Sequence, residues 1–212
     1  MKKILVSSAL LTMACGAAFA AVNASDLVKV TGKLDQKCVE YYTYNGESYC
    51  SLKPISGQVV DPAFREYETQ NIVFDDRPWQ AAWGKKSEYG VDIEYVPMGE
   101  DINDWHELIT SQFYPGLQKL TTPKQFAYKM IAGLKEKGFD PVITVHQKTP
   151  DEFIYEFRIE KPAAQAQDEL QMIRSNNKGI YILHYVIKKS DMGDASREKW
   201  LKNLKASTIK SS

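Results

Sequence analysis

From residue 91 onward, apolar and polar positions alternate in a readable way. Val91, Ile93 and Tyr95 alternate with Asp92 and Glu94, and Pro97 ends the run. Alternation of this kind predicts a half-buried strand. Across residues 105–113 a strand would place Trp105, Glu107, Ile109, Ser111 and Phe113 on one face and His106, Leu108, Thr110 and Gln112 on the other. A helix would instead group Trp105, Leu108, Ile109 and Gln112, and periodicity leaves both readings open. In TTPKQFAYKMIAGLKEKG, Thr122 is placed to cap a helix, Pro123 to open it and Gln125 to complete a capping box. Phe126, Ala127, Met130, Ile131 and Leu134 form its apolar stripe, and Gly138 ends it.

Three further strands are expected. PVITVHQKT sets Ile143 and Val145 against Thr144 and His146, and EFIYEFRIE sets Phe153, Tyr155, Phe157 and Ile159 against Glu156 and Arg158. GIYILHYVIKK is apolar on both faces and reads as a central strand. DELQMIRSNNKG fits a strand running into a turn. A closing helix follows, with Asp194 as its cap and Trp200, Leu201 and Leu204 turned inward. This order predicts an α+β fold, an antiparallel β-sheet flanked by helices. Upstream the pattern is weaker. NIVFDD suggests a strand, and Trp79 and Trp83 are spaced as on one helical face.

The first 20 residues read differently. Lys2 and Lys3, the apolar run Ile4 to Ala14 and the Ala18-Phe19-Ala20 site form a signal peptide pattern. The apolar run is shorter than the roughly 20 residues a membrane span needs. Cys15 raises a lipid anchor as the alternative, although Thr12 stands where such signals carry Leu. Cleavage near Ala20 predicts a periplasmic or secreted product of a Gram-negative bacterium. It leaves Cys38 and Cys50, an even pair that reads as a disulfide in an oxidising compartment. Asn45-Gly46 between them signals a hairpin. A strict two-residue turn would pair Tyr41 with Cys50 and turn Cys50 away from Cys38, so the disulfide is expected instead of the tight turn. Residues 21–87 are thus read as an N-terminal extension carrying the disulfide hairpin, and residues 88–212 as the main domain.

The run IEYVPMGEDINDWHELITSQFY, with Tyr95-Val96-Pro97-Met98-Gly99 before Trp105, resembles small exported bacterial proteins of unknown function. The Thr-Pro-led helix, FIYEFRI, YILHYVIKK and Arg197-Glu198-Lys199-Trp200-Leu201 extend the likeness over roughly residues 88–206. The order resembles the PsbP family of photosystem proteins, whose fold is shared with a Ran-binding nuclear import factor. That resemblance implies a PsbP-like α/β/α sandwich, a strand for residues 105–113 and a role in binding rather than catalysis.

Charge and candidate chemistry narrow the function. The chain has 27 basic and 27 acidic residues, and removing the signal leaves a small acidic excess, so no nucleic acid partner is expected. No second apolar run reaches membrane-spanning length. His106, His146 and His184 lie on separate predicted strands, without the spacing of a zinc site. Glu107 with Glu156 or Glu94 would be the carboxylate pair for glycoside chemistry, but outward carboxylates on amphipathic strands are usually solvated. No nucleophile elbow or phosphate-binding loop is present. The expectation is an exported, non-catalytic binding protein, an interaction module of the bacterial envelope or secretome that holds a protein or small ligand without a cofactor. Trp105, Tyr95, Tyr41 and Tyr44 are the expected binding residues; no residue is assigned to catalysis or to a metal. A metal-dependent or carboxylate-based exported hydrolase and a lipid-anchored structural protein are the alternatives.

Overall fold

Asn45 and Gly46 both take positive φ, 51° and 73°, and reverse the chain within two residues. Two successive left-handed residues match the twist of the flanking strands, which is why Asn-Gly is favoured here. The computed structural model describes residues 24–31, 37–55 and 61–211. The expected signal segment 1–20, its cleavage point at Ala20 and the alternative anchor at Cys15 lie outside the described residues.

After β1 (Val28–Lys29), the hairpin is β2 (Glu40–Tyr44) and β3 (Glu47–Ser51). Tyr44 pairs with Glu47 and Tyr41 with Cys50, so the turn is tight. The disulfide nevertheless joins Cys38 to Cys50, with Cα atoms 5.6 Å apart. The expectation that turn and disulfide exclude each other is therefore corrected. The ladder begins at Glu40 and the chain bends at Val39, so Cys38 is released from strand alternation.

The chain continues through β4 (Gln70–Asn71), β5 (Trp79–Lys86), β6 (Val91–Pro97) and β7 (Glu107–Pro115) to helix α1 (Pro123–Glu136). It goes on through β8 (Val142–Lys148), β9 (Glu152–Ile159), β10 (Gln167–Ser175) and β11 (Gly179–Ile187) to helix α2 (Asp194–Ala206) and β12 (Thr208–Ile209). Ten strands form one sheet in the order β1-β3-β2-β5-β6-β7-β11-β10-β9-β8, and β4 pairs with β12 separately. Every neighbouring pair is antiparallel. The fold is thus dominated by its sheet, with two α-helices among the described residues. The sequence-based division at residue 87 falls between β5 and β6, which are sheet neighbours. Residues 107–115 are a strand, and residues 79–86 are a strand rather than a helical turn. A bulge between Ala81 and Trp83 breaks the alternation, so Trp79 is buried while Trp83 is 40% exposed. Of NIVFDD, only Asn71 is in a strand.

Alternate residues of β11 divide the core. Leu183, Tyr185 and Ile187 pack with Trp200 and Leu204 of α2, together with Trp79, Ile93 and Ile109. Ile180 and Ile182 point the other way and pack with Ala127 and Ile131 of α1 and with Phe153, Tyr155 and Phe157. Trp200 stacks on Tyr185 at 4.0 Å between ring centroids and meets Trp79 edge-on at 5.7 Å. Such aromatic pairs contribute about 1 kcal/mol beyond their buried area. The α1 capping box forms as expected, with the Thr122 hydroxyl accepting from the Gln125 N–H at 3.3 Å and Gln125 Oε1 from the Thr122 N–H at 3.0 Å. Two helix details differ from expectation. Met130 is 43% exposed, because the buried stripe centres on Ala127 and Ile131. Asp194 is the first residue of α2 rather than its cap, and Gly193 at φ 79° takes the cap position.

The disulfide closes a short loop onto an edge hairpin. Replacing Cys38 (Cys38→Ser) is expected to lower the urea-unfolding free energy by about 3 kcal/mol in the chain-entropy picture. The wild-type mass should be unchanged by alkylation without reductant; two alkylated thiols would refute the bond.

Candidate functional site

A braced loop carries the chain from β6 to β7. Gly99 takes φ 90°, a backbone that side chains resist. Asp101 Oδ1 accepts from the Asn103 N–H at 2.7 Å, and Glu100 Oε2 accepts from the His106 N–H at 2.8 Å. The Lys188 N–H, just beyond β11, bonds the His106 carbonyl at 3.0 Å. These bonds hold Trp105 ahead of β7, free of that strand's alternation. Its ring packs with Ile102 against Ala82, Val96, Leu108 and Val186. Trp105 therefore lies on the Leu108 side of the sheet, which corrects the expectation that it shares a face with Glu107.

The Lys188 ammonium sits 4.3 Å from the centroid of the Trp105 ring. Both residues line a cavity of about 350 Å³ with Leu134, Lys137, Phe139, Ile159 and the small residues of segment 163–167. The groove spans the gap between two apolar clusters on the α1 face, one under α1 and one under the Trp105 loop. At its α1 end, the N–H groups of Lys137, Gly138 and Phe139 satisfy the carbonyls of Gly133, Lys135 and Leu134. The helix terminus thus presents the Lys137 ammonium rather than open carbonyls. No lining residue carries a carboxylate, imidazole, thiol or hydroxyl. The only ionisable side chains in the lining are the amines of Lys137 and Lys188.

A polar row runs across the same face. Trp83, Glu94, Thr110, His184, Gln171 and Tyr155 face one another in register over six strands. His184 Nδ1 lies 2.6 Å from Glu169 Oε1, and Nε2 lies 3.0 Å from Gln112 Oε1. The Gln112 amide nitrogen donates to Asp92 at 2.9 Å, which fixes its oxygen toward His184. Both ring nitrogens are thus engaged by neighbouring side chains. Glu94 is half-buried, and burial raises its carboxyl above the usual range.

On the α2 face the charges are tied together. Arg197 donates to Glu156 at 2.8 Å and to Asp191 and Asp194 at 2.8 Å each, and lies 3.4 Å from Asp168. His146, pushed out of the β8 ladder by a bulge, lies 2.9 Å from Glu156. Burial and the neighbouring Glu156 carboxylate lift Asp168 to about 7, against the Met192 N–H bond that stabilises its anion. Burial would raise Glu156 too, but hydrogen bonds from His146 and Arg197 bring it down to about 2. Glu107 accepts from Arg77 at 2.7 Å and from Tyr185 at 2.9 Å.

The expected binding residues are not gathered in one place. Trp105 lines the groove. Tyr95 is buried with its hydroxyl on Glu68 at 2.7 Å, Tyr41 is buried under Arg65, and Tyr44 meets Tyr49 edge-on at 5.7 Å. The histidines do not converge. His106 is exposed, His146 faces the α2 side and His184 the α1 side. No group of three or more His, Cys, Asp or Glu side chains among the described residues is placed to hold a metal ion. Glu107 and Glu94 point to opposite faces; the carboxylate pair that forms is Glu156 with Asp168. Sequence reasoning missed that pair and also Lys137, Phe139 and Lys188. Only strand register could have revealed the carboxylate pair, since Glu156 and Asp168 are diagonal neighbours across β9 and β10.

A raised carboxyl costs stability once it ionises. The stability linked to Asp168 is complete below its unfolded value near 3.8 and is lost as pH rises through about 7. Asp168→Asn keeps a donor toward Glu156 and cannot ionise. Its melting temperature should therefore fall less than that of the wild type between pH 4.5 and pH 8 in thermal unfolding followed by circular dichroism. Parallel profiles would refute the assignment.

No curated protein matches the chain. A family model does match, and its span contains every residue that lines the groove while leaving out the disulfide hairpin. By that match over residues 68–211, the chain belongs to an uncharacterised bacterial protein family.

Proposed function

We propose that the protein is an exported, non-catalytic binding module whose recognition site is the groove beside Trp105. The observation that carries this reading is the chemistry of the lining. An aromatic ring, aliphatic side chains and two lysines meet in a partly enclosed space lined by no carboxylate, imidazole, thiol or hydroxyl. The disulfide is consistent with an extracytoplasmic location. No helix among the described residues is long and apolar enough to cross a membrane. The signal peptide pattern, with cleavage near Ala20, supports export as an interaction module of the bacterial envelope or secretome. The placement of α1 and α2 on opposite faces of the sheet supports the PsbP-like α/β/α sandwich as the finer reading of the fold.

A carboxylate-based hydrolase has one observation behind it, the acid Asp168 held near neutrality beside Glu156. Both side chains are buried beneath the start of α2, however, so this reading ranks second.

The test is a thermal-shift screen of anionic, neutral and cationic small molecules together with capture from envelope extracts, using the wild type and Trp105→Ala. A ligand at a hundredfold excess over its Kd should stabilise the wild type by about 2.7 kcal/mol. Loss of the central aromatic anchor should weaken binding by about 2 kcal/mol, roughly thirtyfold. Equal behaviour of the two proteins toward every ligand and partner would refute the site.

A further inference from the structure

We infer that the groove beside Trp105 takes a small monocarboxylate with a short aliphatic or aromatic body. This rests on the binding reading above and adds the ligand's chemical class. The charge of the groove is one-sided. Lys137 and Lys188 line it, and no acidic residue does. Among the described residues neither ammonium has a carboxylate partner; Lys188 is held instead over the Trp105 ring at 4.3 Å. A ring face positions a cation without neutralising it, so its N–H groups remain available to an oxyanion. Both cations are lysines, which bind compact oxyanions as point charges rather than through the planar fork of arginine. Partial enclosure by Leu134, Phe139 and Ile159 lowers the local dielectric and strengthens the pairing.

The apolar lining selects the rest of the ligand. Leu134, Phe139, Ile159 and Trp105 offer hydrocarbon surface, and Ala163, Ala164 and Ala166 leave the opposite side unobstructed by long chains. A cavity of about 350 Å³ is at the small end for ligand pockets, about 300–1,000 Å³. That space suits one short chain or one ring and is too small for a two-chain lipid. The amides of Gln165 and Gln167 are the remaining polar groups of the lining; Gln167 Nε2 donates to Glu169 at 3.3 Å, which leaves Gln165 as the amide able to orient a carboxylate.

Calorimetric titration with octanoate and octanol at low ionic strength tests the inference, because the two probes share a chain and differ in charge. Octanoate should bind at least tenfold more tightly than octanol. Lys188→Gln and Lys137→Gln should each weaken octanoate about tenfold and leave octanol unchanged, while Trp105→Ala should weaken both. Circular dichroism on every variant confirms that it folds. Equal affinity for the two probes, or octanoate binding indifferent to both lysine variants, would overturn the ligand class while leaving the groove as a binding site. Failure of both probes to bind, with Trp105→Ala also without effect on any ligand in the screen, would overturn the groove itself and the class with it.

Discussion

The register of β11 is the constraint on which the other features depend. This strand is bonded to β7 along its full length on one side and to β10 on the other. Because strand side chains alternate, that pairing decides which residues meet α1 and which meet α2. A slip of one residue would bring His184 against Trp200 and turn Tyr185 toward α1. It would exchange a stacked aromatic pair for a polar ring in an apolar core. Burial on both faces leaves no neutral alternative, so the sequence specifies this register strongly.

The polar row through His184 follows from the same alternation. It separates the apolar cluster beneath α1 from the cluster beneath the Trp105 loop. Burying Glu169 and Gln171 without partners would cost several kcal/mol. Instead, Tyr155 donates to Gln171 at 2.6 Å, Gln171 to Glu169 at 2.5 Å, and His184 closes the chain. The network makes the row affordable as structure and occupies the groups that chemistry would need. The two clusters therefore remain distinct, and the groove lies in the gap between them, where α1 ends and the loop before β7 begins.

The regular elements were legible because their patterns are local. The capping box of Thr122 and Gln125, the alternation in residues 153–159 and the doubly apolar β11 each state their conformation within a few residues. What failed depended on departures from regularity. The bend at Val39 let Cys38 reach Cys50 despite a tight turn, and the bulge after Ala81 turned Trp83 outward. Trp105 was placed on the wrong face because it precedes the strand whose alternation was extended to it. The groove was legible only through Trp105. Its other lining residues come from the end of α1 and the chain just after it, the end of β9, the segment 163–167 and the residue after β11, and nothing local in the chain marks their meeting.

The distribution of ion pairs explains how a chain with balanced charge can present an electropositive groove. On the α2 face two clusters of charge are paired internally. Arg197 gathers four carboxylates, and Arg77 and Lys199 both bind Asp75. Those pairs hold α2 and the strap before β5 onto the sheet. On the α1 face Asp92 is bonded to Gln112 and Tyr114, and Glu169 to His184, Gln171 and, at the edge of the groove, Gln167. Lys137 and Lys188 are left facing a cavity with no acid in it. Net charge therefore does not describe the local charge of the groove. The sheet separates the paired charges that fasten α2 from the two lysines that line the groove on the α1 face.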